Sequence, residues 1–298
     1  MQRDVAFSTE DGTTLAGEIH SSSATPAPGI VMAHGFSGVK SQVAHYAALF
    51  AEAGLSVLLY DHRGFGLSDG SPRNEVDPYH QLADWRDAIT FASAQPEFAP
   101  EAGFGVWGSS FAGGLAIVTA ANDHRVRCVV AQIPNVSGHR NTRRVLTAEE
   151  LETLRTRAGV DRQARLRGES PATVPVFSND PAVLCGLPRS VTDDYITQAE
   201  RHSPTWHNEV TLRSLEHLAE FEPAGWIEHV APKPLLMIVA EEDTCTVPDI
   251  QREVFARAGE PKQLLTHPGG HFETYTTYFK QTGPPARDWF AQHLLASV

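Results

Sequence analysis

Cysteine is scarce: Cys128, Cys185 and Cys245 are the only three in 298 residues, an odd number at wide spacing. That spacing suits neither a disulfide framework nor a zinc cluster, so all three are read as plain thiols. Long apolar runs are missing too. The longest strongly apolar stretch, Leu235 to Ala240, falls far short of the roughly 18 residues that suggest a membrane helix, and no membrane partner is expected. Met1-Gln2-Arg3-Asp4 puts an acid where a secretory signal needs positive charge, and no apolar run follows, so a cytoplasmic location is expected. Basic charge is the third shortage. The chain has 24 Lys and Arg against 36 Asp and Glu, a net charge of -12 with no basic tract; such a surface repels phosphate backbones and excludes nucleic acid as a partner. Internal repeats and low-complexity tracts are absent, and 41% hydrophobic with 20% charged residues exclude a disordered or fibrous chain. A chain this long buries about three-quarters of its unfolded surface, enough for one large domain or one domain with an insertion.

Short runs rich in Val, Ile and Leu alternate with longer segments of helical period. The strand runs are Thr13 to His20, Gly29 to Ala33, Leu55 to Tyr60, Phe104 to Trp107, Val126 to Gln132, Pro234 to Ala240 and Gln263 to His267. The helical segments are Gln42 to Ala53, Pro78 to Ala94, Ser110 to Ala121, Val247 to Ala258 and Pro285 to Ala296. Apolar strands with little polar alternation are buried on both faces, which predicts an α/β fold, a mostly parallel sheet sandwiched between helices. The rhythm stops between about Asn135 and Val230. Helical patterns at Thr147 to Ala158 and Thr192 to Arg201 flank the loop-like Gly168 to Pro188. A structureless stretch of that length is improbable inside a compact domain, so 136–231 is read as an inserted helical lid on a core made of 1–135 and 232–298.

The strongest local signal is Val106-Trp107-Gly108-Ser109-Ser110-Phe111-Ala112-Gly113, where a strand ends and a helix begins. A serine on a sharp strand-to-helix turn is held exposed above the sheet, and the crowded turn needs small neighbours. The pattern departs from G-x-S-x-G only in having Ala112 at the second glycine, and alanine is small enough to keep the turn feasible. A serine hydroxyl needs a base, and the base needs an orienting acid. Both follow strands downstream: Asp243 in Glu241-Glu242-Asp243-Thr244, preferred over Glu241, Glu242 and Asp249, and His271 in His267-Pro268-Gly269-Gly270-His271. Ser110, Asp243 and His271 are the candidate catalytic residues. The developing oxyanion needs two backbone donors, and the candidates are the N–H of Phe111 and, in His34-Gly35-Phe36-Ser37-Gly38, the N–H of Phe36. His34 and His267 are read as structural.

These segments, with Tyr60-Asp61-His62-Arg63-Gly64-Phe65-Gly66-Leu67-Ser68-Asp69-Gly70, resemble the α/β-hydrolase superfamily, and within it the serine-esterase and serine-aminopeptidase-like hydrolases with a helical lid. The resemblance covers roughly residues 10 to 135 and 232 to 298. It implies an α/β-hydrolase fold with an eight-stranded sheet, structural roles for Asp61, Arg63 and Ser68, and an acyl-enzyme route. The expected reaction is hydrolysis of a small to medium apolar or aromatic ester, thioester or lactone, a small-molecule substrate. Alternatives are a C–C bond hydrolase or acyltransferase with the same residues, and a non-catalytic receptor on this fold. A homodimer is compatible with the sequence. No cofactor and no metal is called for: His202 and His207 lack an H-E-x-x-H pattern, and Pro204 between them argues against a shared helical face. Phe177, Tyr195, Trp206 and Trp226 are candidate substrate contacts in the lid, with Phe221 a further aromatic there, although packing within the lid competes for all five. Arg140, Arg143 and Arg144 are read as a solvated helix face.

Overall fold

The computed structural model describes residues 1–21, 25–180, 182–187 and 199–295. Ten strands occur among them: β1 (Gln2–Ser8), β2 (Thr14–His20), β3 (Gly29–Ala33), β4 (Ser56–Tyr60), β5 (Phe104–Ser109), β6 (Val126–Gln132), β7 (Thr173–Val174), β8 (Val210–Thr211), β9 (Leu235–Ala240) and β10 (Lys262–His267). Eight form one sheet in the order β1-β2-β4-β3-β5-β6-β9-β10. β2 is antiparallel to β1 and β4, and the run from β4 to β10 is parallel. The helices are α1 (Ala44–Glu52), α2 (Pro78–Ser93), α3 (Phe111–Asn122), α4 (Gly138–Val145), α5 (Ala148–Leu166), α6 (Leu212–Glu220), α7 (Pro248–Arg257) and α8 (Phe279–Leu294).

Strand periodicity splits the core into two layers. In β3, Ile30 and Met32 face Tyr46, Phe50 and Phe290 of α1 and α8, whereas Val31 and Ala33 face the layer that holds Trp85, Leu115 and Val254 of α2, α3 and α7. All six residues of β5 are buried, and full burial of each large apolar side chain contributes roughly 1.5–3 kcal/mol. β3 and β5 are adjacent, yet the chain leaves β3 for β4 on one side and enters β5 on the other. Loops at the carboxyl ends of such a pair diverge and leave a crevice, which is where parallel sheets bind ligands.

Local chemistry sets several boundaries. α2 starts where Asp77 accepts from Tyr79 N (2.9 Å) and His80 N (3.2 Å), with Pro78 in the first turn. α5 starts at a reciprocal cap, Glu150 N to Thr147 Oγ1 (3.2 Å) and Thr147 N to Glu150 Oε2 (2.8 Å).

Several elements differ from expectation. β1 is an extra strand, an edge whose sequence offers only Val5, Ala6 and Phe7 as apolar residues; its pairing with β2 supplies what its pattern does not. α8 starts at Phe279 instead of Pro285, so Pro284 and Pro285 lie inside the helix, not at its first turn. Between β6 and β9 the chain forms more than helices, because β7 and β8 pair as a two-stranded antiparallel ribbon. α4 and α6 carried no recognised signal, and α5 runs past the expected Ala158 to Leu166. The expected helix Thr192 to Arg201 falls mostly outside the described residues. Leu154, Val174, Phe177, Trp206 and Leu215 of this segment belong to the same continuous apolar cluster as α2 and α3.

Candidate active site

Ser110 sits between β5 and α3 with φ 60° and ψ -123°, a left-handed conformation that is strained for any residue but glycine. The surroundings hold it there. Its N–H donates to Gln132 O (2.8 Å), and its carbonyl accepts from Gly113 N (3.0 Å) and Asn135 N (2.9 Å). A side chain on Gly108 would collide with the carbonyl of Ala112, which explains the glycine before the serine. Ser109, one residue earlier, faces away: its hydroxyl is 2.8 Å from Tyr275 Oη and accepts from Gln132 Nε2 at 3.1 Å.

Asp243 follows β9 and His271 follows β10, parallel neighbours whose carboxyl ends reach the same edge as β5. His271 Nε2 lies 3.0 Å from Ser110 Oγ, and His271 Nδ1 lies 2.7 Å from Asp243 Oδ2. The carboxylate only accepts, so Nδ1 carries the proton and Nε2 is left to accept from the serine hydroxyl. The other Asp243 oxygen takes the N–H groups of Cys245 (2.7 Å) and Thr246 (2.9 Å). The Thr246 hydroxyl stands 2.8 Å from Asp243 Oδ2 and 2.9 Å from Ile133 O, tying the acid's loop to the end of β6. Sequence reading did not single out Thr246; a hydroxyl three residues after an acid in a loop is the available signal. Ser110, Asp243 and His271 are all buried. Glu241 pairs with Arg252, and both Glu241 and Glu242 are exposed, so neither competes for His271. Asp243, Cys245 and His271 also place donor atoms within 4.8 Å of one another, but the acid and imidazole already engage each other.

The His34-Gly35-Phe36 loop lies against the serine: a Cβ on Gly35 would come 3.0 Å from Ser109 O and 3.1 Å from Ser110 Cβ. Phe36 and Phe111 are buried with ring centroids 6.1 Å apart. The loop is anchored from below. His34 Nδ1 faces Gly35 O at 3.0 Å and so carries the proton, leaving Nε2 to accept from His62 N at 3.0 Å. Burial lowers the pKa of both His34 and His62. Asp61 accepts from Lys40 N (2.7 Å) and Leu67 N (3.0 Å), Ser68 Oγ donates to Asp61 O (2.6 Å), and Arg63 forms a two-pronged pair with buried Asp84 (2.8 and 2.5 Å). All three brace the loops. His267 does the same, facing Pro268 O at 2.6 Å and Thr274 Oγ1 at 3.0 Å.

A sequence model of the family described as serine aminopeptidase, S33, matches residues 24–275. The chain belongs to that family of α/β hydrolases. It is 32% identical to a polyketide transferase of Stachybotrys chlorohalonatus over 91% of this chain and 90% of the relative. It is 30% identical to a thiohydrolase of Eupenicillium brefeldianum over 91% of this chain and 88% of the relative. Among solved structures, an α/β hydrolase from Penicillium sp. sh18 superposes with a TM-score of 0.86 at 27% identity, covering 99% of both chains. The fold and the hydrolase class of this chain are those of the family.

Two cavities meet at Ser110 and share Phe36 and Leu187. The inner one, about 50 Å³, is walled in part by Leu146, Leu154, Leu215 and Leu218 from between β6 and β9, with Cys185 and Cys245. The outer cleft, about 550 Å³, holds His271, His34, Ser41, Gln42, His202 and Glu273. Phe177 and Trp206 line the outer cleft, their rings 6.2 Å apart, and Trp206 Nε1 donates to Ser37 O at 2.9 Å. The expectation fails for Trp226, which lies 41% exposed outside both cavities against His229. Tyr195 falls outside the described residues. Phe221 packs behind the elbow, 5.3 Å from Phe111. Arg140 and Arg144 are not simply solvated: they pair with Glu253 (2.6 Å) and Asp249 (3.1 Å) of α7. No helix among the described residues is long and apolar enough to cross a membrane.

Proposed function

We propose that the protein cleaves apolar acyl thioesters through an acyl-enzyme on Ser110, with esters and lactones as poorer substrates. The observation that carries this reading is the buried chain Ser110–His271–Asp243 at the junction of a leucine-walled cavity and a polar cleft. Ser110 Oγ attacks the carbonyl carbon as its proton passes to His271 Nε2, and the resulting imidazolium is stabilised by Asp243. The N–H groups of Phe36 and Phe111 stabilise the oxyanion. The C–S bond then breaks, and the thiolate takes the proton from His271. His271 lines only the outer cleft, so the thiol leaves there and the acyl group is directed to the inner cavity, which at about 50 Å³ has to widen to take a long chain. Water, deprotonated by His271, attacks the acyl-enzyme, and Ser110 recovers its proton as the acid departs. The insertion acts as the lid that selects the acyl group.

The relatives named thiohydrolase support the thioester, and those named polyketide transferase support a second reading, in which a bound nucleophile replaces water in the last step. A steady-state panel tests both, with octanoyl-N-acetylcysteamine, nitrophenyl octanoate, a lactone and a vinylogous diketone acid, with and without added alcohol or amine. The thioester is expected to give the highest kcat/KM. Turnover of the diketone acid alone would replace the reading by C–C bond hydrolysis. Acyl product appearing only with added nucleophile would replace it by transfer.

A further inference from the structure

The inner cavity has a polar group without a hydrogen-bond partner that the reaction above leaves unused. Of the buried side-chain polar atoms that lack a hydrogen-bond partner among the described residues, only Asn135 Nδ2 belongs to a residue on the wall of either cavity at Ser110. Its identity as the NH2 arm is fixed by its neighbours. Val247 N donates to Asn141 Oδ1 at 3.1 Å, so the other arm of Asn141 is the donor. That donor, Asn141 Nδ2, reaches Asn135 Oδ1 at 2.6 Å, which leaves the NH2 of Asn135 without an acceptor. Asn135 is only 2% exposed, and a buried amide N–H is costly to leave unpaired unless a ligand pairs with it. The backbone N–H of Asn135 donates to Ser110 O at 2.9 Å, so the residue stands beside the nucleophile while leucines of α5 and α6 form much of the remaining wall.

We infer that Asn135 Nδ2 is a specificity determinant that donates a hydrogen bond to an oxygen on the acyl chain. The preferred acyl group then bears a keto or hydroxyl oxygen near the reacting carbonyl and is apolar beyond it, and a 3-oxo group serves as the probe. This inference rests on the acyl-thioester reading. Binding that needs no turnover separates the two. With Ser110→Ala protein, titration calorimetry of 3-oxooctanoyl- and octanoyl-N-acetylcysteamine is expected to show the 3-oxo compound bound about tenfold more tightly, the worth of one neutral hydrogen bond. Adding Asn135→Leu should bring the two constants to within about twofold, the change expected when that hydrogen bond is lost. Asn135→Asp, which keeps the acceptor for Asn141 and removes the donor, should also abolish the preference. Equal constants in the Ser110→Ala protein, failure of both compounds to bind, or a preference that survives both substitutions would overturn the inference. Equal constants would mean that Nδ2 serves a water. A clear 3-oxo preference in a protein whose Ser110 form turns over no thioester would sink the proposed reaction and leave the Asn135 contact standing.

Discussion

The inner cavity and the outer cleft share Ser110, Phe36 and Leu187 and differ in the rest of their walls. The inner wall carries Leu146, Leu154, Leu187, Leu215 and Leu218, and α4, α5 and α6 contribute part of it. The outer wall carries histidines, serines, a glutamine and a glutamate, and much of it comes from the loops after β3 and β10 of the sheet. An acyl chain gains by leaving water on the inner side, about 0.8 kcal/mol per methylene. A departing thiolate needs a proton donor, and that donor stands on the outer side. In the proposed reaction, two distinct environments meeting at Ser110 give it a direction.

The largest expected effect removes the proton relay that serves both sides. Asp243→Asn is nearly isosteric, yet it withdraws the acceptor that fixes His271 with its proton on Nδ1. It should lower kcat by about 10⁴-fold, measured with octanoyl-N-acetylcysteamine, while the melting temperature stays close to wild type. Near-normal turnover would move the acid role away from Asp243.

A smaller effect separates the sides. Leu154→Phe adds bulk to the inner cavity without touching the outer cleft. The ratio of kcat/KM for octanoyl over acetyl thioesters should fall by about 10²-fold, as one to two misfit methylenes predict. Varying the thiol of the leaving group should leave the variant and wild type alike. A change confined to the thiol would reverse the assignment of the two cavities.

The smallest effect concerns what holds the outer wall. His62 is buried with neither ring nitrogen hydrogen-bonded among the described residues, and burial holds its pKa well below the ordinary value. Above about pH 6.5 the ring is neutral folded and unfolded, so it exerts no pH-dependent effect. As pH falls below that value the unfolded chain takes up a proton that the folded one refuses, and stability is lost until the depressed folded pKa is reached. His62→Leu should flatten the decline in melting temperature between about pH 6.5 and 5. An unchanged slope would assign the acid sensitivity to other groups, the buried His34 first.

The same division governs what the sequence makes legible. The sheet side is written in local patterns: the glycine-flanked Ser110, the glycines before His271, and strands so apolar that they must be buried on both faces. Each of those follows from backbone demands at one place in the chain. The segment between β6 and β9 is set by contacts across the fold. β7 and β8 are two residues each and exist only as partners, too short to show a period. The Asn135–Asn141 pair is tied down through Val247, more than a hundred residues away, and no spacing announces it. Trp226 shows the converse, an aromatic whose type suggested the pocket and whose place in the fold left it at the surface.

The account stands or falls on covalent chemistry at Ser110, and rapid-quench mass spectrometry of the protein mixed with octanoyl-N-acetylcysteamine tests it most directly. The prediction is an octanoyl adduct on the peptide that carries Ser110, formed before steady state and absent from Ser110→Ala. An adduct on Cys245, which lines the same cavity, on Ser109, or on no residue while product still forms would contradict it.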